Sequence, residues 1–140
     1  MAEINFNSIL DGVSLALKAA FPDASIHGGH VKQSLAPGDL NVVMPGASHD
    51  RLVGERYARS PQLDVIYYPK EGPVECYAMA QELTLVLGSI TTPEGDVVHS
   101  KSCKWEITDD VLHVLVQYDH HVRIPAEPVY METLTIRQEG

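Results

Sequence analysis

The sequence predicts an α+β fold, an antiparallel or mixed β-sheet with two helices packed on it. Three observations carry this expectation. Apolar residues recur at helical spacing in two segments, 6–21 and Pro73 to Ile90. The last third alternates apolar and polar residues on both sides of an Asp-rich turn. Between these lie extended runs cut by Gly and Pro, with no internal repeat and no linker long enough to divide the chain, so one domain over 1–140 is expected.

In the first segment, Phe6, Ile9, Leu10, Val13, Leu17, Ala20 and Phe21 fall at three- and four-residue steps and so share a helix face. Asn5 is placed to cap the start, and Pro22 ends the helix because it cannot continue the hydrogen-bond ladder. Residues 24–48 are punctuated by Gly28, Gly29, Pro37, Gly38, Pro45 and Gly46, with short strands between them and Leu40–Met44 the best of these. A further extended run is expected over Arg51–Arg59. Gln62–Tyr68 then reads as a strand apolar on both faces, hence central and covered.

Pro73 stands where a first helical residue belongs, and Cys76, Met79, Ala80, Leu83, Val86, Leu87 and Ile90 follow the helical period until Gly88 and the Thr-Thr-Pro run stop it. Cys103, Trp105 and Ile107 alternate with polar residues, as do Leu112, Val114, Val116 and Tyr118 beyond the turn at Thr108-Asp109-Asp110. That is the pattern of an antiparallel hairpin with one solvated face. A short extended tail, Tyr130–Ile136, follows Pro125 and Pro128.

Composition excludes several function classes. Hydrophobic residues make up 44% and charged residues 21%, ordinary for a globular domain and unlike a disordered tail or a rod. No apolar stretch approaches the roughly 18–20 residues of a membrane helix, and Met1–Leu10 holds Glu3 and no Lys or Arg, unlike a signal peptide. Ten Lys plus Arg against 19 Asp plus Glu give a formal charge of −9, which suits neither phosphate gripping nor counterion release. Two cysteines, Cys76 and Cys103, make no disulfide framework, and a reducing compartment is expected.

The chemically suggestive residues do not assemble a reaction. His27 and His30 bracket a Gly-Gly turn with no second ligand pair at zinc-finger spacing. His120 and His121 are strand neighbours, so they point to opposite faces. Ser48-His49-Asp50 has the letters of a hydrolytic triad, but triad members meet from separated positions. Cys76 is expected to pack on a buried helix face and Cys103 beside Trp105, and Asp109-Asp110 is a turn. No enzyme, metal or cofactor is expected. Arg51, Glu55, Arg56 and Arg59, with Tyr57 among them, suit a polar subunit interface about as well as a plain solvated edge. On one strand Arg51, Glu55 and Arg59 would share a face and Arg56 would point away. His121 with Arg123, on a face shared with Asp119, is the second candidate surface.

Several stretches together resemble a known family. They are Phe21-Pro22, Ile26-His-Gly-Gly-His-Val-Lys-Gln33, Gly54-Glu-Arg-Tyr-Ala-Arg-Ser60 leading into Leu63-Asp-Val-Ile-Tyr-Tyr-Pro69, and Asp110-Val-Leu-His-Val-Leu-Val-Gln-Tyr-Asp-His-His-Val122. In order and spacing, over about residues 6–135, the chain resembles small phage and prophage tail terminator proteins. It departs from their pattern at Gly28-Gly29, where an acidic residue is expected, and in the Pro- and Gly-rich 36–47 stretch.

The resemblance implies a sheet flanked by helices and a structural role in the virion, at the tail neck, with assembly in the bacterial host cytoplasm. It implies a homo-oligomeric ring, usually a hexamer, on the head-proximal end of the tail tube. Such a ring ends tube polymerisation and offers a docking surface to the head–tail connector or stopper protein, while DNA passes through its lumen without specific binding. It implies no catalytic residue. Another neck or joining protein and a small non-enzymatic binding module are the alternatives.

Overall fold

The structure is a computed structural model and describes residues 4–28 and 36–125. His30, the 31–33 segment and the Tyr130–Ile136 run lie outside the described residues. Helix α1 spans Phe6–Ala20. Its start is a reciprocal cap: the Asn5 side chain accepts from the Ser8 backbone N–H at 2.8 Å, and the Ser8 hydroxyl accepts from the Asn5 N–H at 3.2 Å. Ile9, Val13 and Leu17 are fully buried on its inner face, as their spacing predicts.

Strands β1 (Ile26–Gly28), β2 (Leu40–Arg51) and β3 (Arg56–Tyr67) lead to helix α2 (Pro73–Val86), and β4 (Ser89–Thr91), β5 (Val97–Thr108), β6 (Val111–Tyr118) and β7 (His120–Arg123) complete the described chain. The sheet runs β1-β2-β3-β6-β5-β4, with β7 also paired to β3. Only β1 with β2 is parallel, so the fold is the α+β arrangement with a mixed sheet that the sequence predicts. Both helices pack into one hydrophobic cluster with a single face of the sheet, where Val42, Leu63, Val65, Leu112, Val114 and Val116 lie buried. Tyr118, fully buried beneath them, donates its hydroxyl to the Leu87 carbonyl at 2.7 Å, satisfying both groups.

The hairpin of the last third forms as expected. Thr108 pairs with Val111 across Asp109 and Asp110, both at positive φ (53° and 64°), which is the twist a two-residue hairpin turn demands. Asp tolerates that region better than most residues, since its short side chain bonds locally. Trp105 stands on the helix-facing side, 42% exposed and tilted against Tyr77 of α2 at 5.9 Å.

Five expectations need correction. Arg51–Arg59 is not one extended run: β2 ends at Arg51, the chain turns through 52–55, and β3 begins at Arg56. Gln62–Tyr68 is accordingly the second half of a 12-residue strand, and β2 likewise runs past Met44 through an irregularity between Val43 and Gly46. Pro45, inside that irregularity, lacks the N–H a regular ladder needs and reads locally as a stop. That strand is also not covered on both faces: Asp64 and Ile66 are half-buried, and among the described residues the helix-packed cluster lies on the other side. Ile90 belongs to β4 rather than α2, because Gly88 ends the helix and Ile90 re-enters the core from a short strand paired with Val98.

Gly12 lies where α1 packs tightly on β4. A Cβ there would lie 3.1 Å from the Thr91 carbonyl oxygen and 3.2 Å from Ile90 Cδ1. Gly12→Val is expected to push α1 off β4 and destabilise the protein by about 1–3 kcal/mol, the usual cost of overpacking. The check is the urea midpoint followed by far-ultraviolet circular dichroism.

Candidate functional site

The six candidate residues converge on one feature. Arg51, Glu55, Arg56, Arg59, His121 and Arg123 all lie on a three-stranded arm made by the far ends of β2 and β3 with β7 along one side. In the arm Gly46 pairs with Gln62 and Arg51 with Tyr57, while Arg56 pairs with Arg123 and Arg59 with His120. Residues 46–51 are exposed along their whole length, and the arm extends past the helix-backed sheet. The expected sharing of a face survives for Arg51 and Arg59, with Arg56 opposite, but a hairpin register produces it rather than one strand. Glu55 sits in the turn.

Contacts within the arm divide the arginines into two groups. Arg59 faces inward: its Nε donates to His49 Nδ1 at 3.0 Å, its Nη1 reaches the Ile4 carbonyl at 3.4 Å, and its guanidinium lies 4.7 Å over the Phe6 ring. His49 also stacks on Tyr57, centroids 4.6 Å apart and 11° from parallel. These contacts fasten the arm to the start of α1. Arg51, Arg56 and Arg123 are exposed, Arg51 on the face of Arg59 nearer the tip and the other two on the opposite face. Arg123 Nη2 meets Glu55 Oε1 at 2.9 Å and Arg51 Nε donates to the Gly54 carbonyl at 3.2 Å, whereas Arg56 and Arg123 stand directly opposite across the strands as like charges. At the tip, Leu52, Val53 and Ile124 are 45%, 81% and 40% exposed.

At the other end of β3 is a cleft of about 440 Å³, with Tyr68, Pro69 and Ile107 among its walls and the carboxylates of Glu71, Asp109 and Asp110 along it. Its rim is rigid for a local reason. Glu75, in the first turn of α2, accepts hydrogen bonds from the Tyr67 hydroxyl and from the backbone N–H groups of Lys70 and Glu71 at 2.8–3.0 Å. The Tyr67 hydrogen bond first, then those N–H groups, hold the Glu75 carboxyl below its usual range, and burial pushes the Tyr67 phenol up. Sequence reasoning did not find this cleft, because its parts come from three separated segments.

The remaining suggestive residues are dispersed. Ser48, His49 and Asp50 alternate along β2 and form no triad. His27 pairs with Asp39 at 3.3 Å and His113 with Asp64 at 2.9 Å. Cys76 is buried and Cys103 partly so, and burial raises both thiols. Among the described residues no three His, Cys, Asp or Glu side chains gather as metal ligands, and no helix is long and apolar enough to cross a membrane.

A helix-backed sheet whose most distinctive surface is a projecting charged arm has the build of an assembly protein. A family model described as phage tail terminator protein matches residues 8–130. The chain belongs to that family, and is thus a structural protein of the phage tail. Among curated proteins none matches it. Among the solved structures that match it, one is similar at a TM-score of 0.45 and 17% identity, over 86% of this chain and 94% of the other.

His120 makes the arm sensitive to acid. It lies opposite Arg59, with Asp119 and His121 beside it, and both its ring nitrogens are buried without a hydrogen bond of good geometry. Burial, aided by Arg59 and His121, lowers its pKa from the ordinary 6.5. The unfolded chain then binds this proton more readily than the folded one, so stability falls as pH drops below about 6.5. His120→Phe is expected to narrow the gap in urea midpoint between pH 7.5 and pH 5.5. An unchanged gap would show that His120 is not the group responsible.

Proposed function

We propose that this protein is a tail terminator in the full sense: a homo-oligomeric ring, hexameric, on the head-proximal end of the tail tube. The ring stops tube polymerisation and offers the surface to which the head–tail connector or stopper docks. The observation that carries this reading is the family match across 8–130, nearly the whole chain. One hydrophobic cluster that includes both helices and the sheet supports treating 1–140 as a single domain of this kind.

The physical character of the chain is compatible with each part. A closed ring needs two different patches on each subunit, and the arm and the cleft lie at opposite ends of β3. The outer edge of β2 supports strand addition between copies, since among the described residues β1 pairs only with Leu40–Val42 of it. A sixfold ring would carry six times the formal charge of −9, which favours DNA passing through the lumen without specific binding. The role is structural and non-enzymatic, and assembly takes place in the host cytoplasm on the tube protein.

Deleting the gene from its phage or prophage and measuring tails by negative-stain microscopy tests the reading. Overlong, headless tubes are the expected result. Tails of normal length left unjoined to full heads would move the protein to the joining role, and unchanged particles would overturn both.

A further inference from the structure

The arm and the cleft differ in a way that fits them to each other. Four of the chain's five arginines, Arg51, Arg56, Arg59 and Arg123, are on the arm, in a protein of formal charge −9. Arg59 is turned toward Phe6, which leaves three arginines around the tip with Asp50 and Glu55 as the nearest acidic residues in sequence. Arg56 and Arg123 oppose each other in register; Glu55 meets Arg123 at 2.9 Å, and a carboxylate from another copy would add a counter-charge beside Arg56. Beyond them Val53 stands 81% exposed on the tip.

The cleft offers the complement. Tyr68, Pro69 and Ile107 give it an apolar wall, and Glu71, Asp109 and Asp110 give it negative charge. Val74, 75% exposed on the first turn of α2, continues the apolar surface outward. The two features cannot meet within one chain, because the 12 residues of β3 separate them, about 40 Å of strand. They can meet between copies, head to tail, and a contact of that kind repeats around a ring.

We infer that the arm of one copy docks in the cleft of the next, Val53 entering against the apolar wall and Arg51 and Arg56 meeting Glu71, Asp109 and Asp110. The inference rests on the ring reading and names its contact. The occupant of the cleft is a second copy of this chain, chosen by charge and by the exposed apolar tip. Salt weakens the contact, since the charges lie at the surface.

A mixing experiment with the full chain tests it by sedimentation velocity. The arm variant carries Val53→Asp and Arg56→Glu; the cleft variant carries Glu71→Arg, Asp109→Asn and Asp110→Asn, the asparagines keeping a residue that tolerates positive φ. Wild type is expected to form rings and each variant alone to sediment as a monomer. A 1:1 mixture is expected to give dimers and nothing larger, because only one intact arm and one intact cleft remain in each pair. Rings from either variant, or a mixture that stays monomeric, would overturn the arm-to-cleft contact and leave the ring reading standing. Wild type that stays monomeric both alone and on tail tubes would overturn the ring reading and this inference with it.

Should a variant fail to fold, a cross-link replaces it. Val53→Cys combined with Glu71→Cys, treated with a short bis-maleimide, is expected to give a ladder of covalent multimers that neither single variant gives. No ladder from the double variant would overturn the contact.

Discussion

The pairing of β3 is the constraint on which the rest of this structure depends. One half of the strand lies in the core sheet between β2 and β6, and the other half carries the arm between β2 and β7. The changeover falls at Pro61. Gln62 pairs with Gln117 and Arg59 with His120, so the register is the same on both sides and only the two rungs between, at Ser60 and Pro61, are missing. A proline supplies no N–H, and an interior strand tolerates one only where the ladder is interrupted. The Ser60 side chain hydrogen-bonds to Asp119 across this gap. Core and arm are therefore one continuous element, and a load on the arm is felt in the helix-backed sheet.

Charge distribution follows from the same geometry. Acidic residues are spread over the chain, while the arginines gather where the sheet leaves its helical cover. A uniformly acidic subunit would repel its own copies at every approach. Arginines concentrated at one end against carboxylates spread over the rest would give such an approach a direction, which acts on encounter and orientation more than on final affinity. Between exposed groups the electrostatic contribution per pair is small, about 0–1 kcal/mol, so the apolar tip must carry the greater share of any contact.

Much of this fold was legible in the sequence where short-range patterns decide. The period of Ile9, Val13 and Leu17, the cap at Asn5 and the turn at Asp109-Asp110 each report local physics, and each is found where the sequence places it. The failures come where local signals conflict with tertiary pairing. Pro45 and Gly46 read as a break, yet β2 passes through them because β3 resumes pairing beyond the irregularity. The charged run around Leu52–Glu55 has no Asn-Gly or Gly-Gly to announce a hairpin, so the turn that creates the arm was hidden inside an apparent strand. The arm residues were still recognisable by composition, because an arginine-rich stretch with an aromatic neighbour is unusual in so acidic a chain. The cleft was not, since proximity of Tyr68, Ile107 and Asp110 arises only from the register of β3, β6 and β5.

An arm that docks must also be held ready to dock. A free hairpin of this length would be marginal in water, and ordering it on contact would consume most of what the contact contributes. Here the ordering is done within the subunit. The β7 strand pairs along the outer half of β3, His49 stacks on Tyr57, and Arg59 bridges from the arm to Phe6 and the Ile4 carbonyl at the base of α1. Arg59 thus differs in kind from Arg51, Arg56 and Arg123 although all four are arginines of one arm. It shapes the surface that the others present, so any partner the arm meets finds the conformational cost already met within the chain.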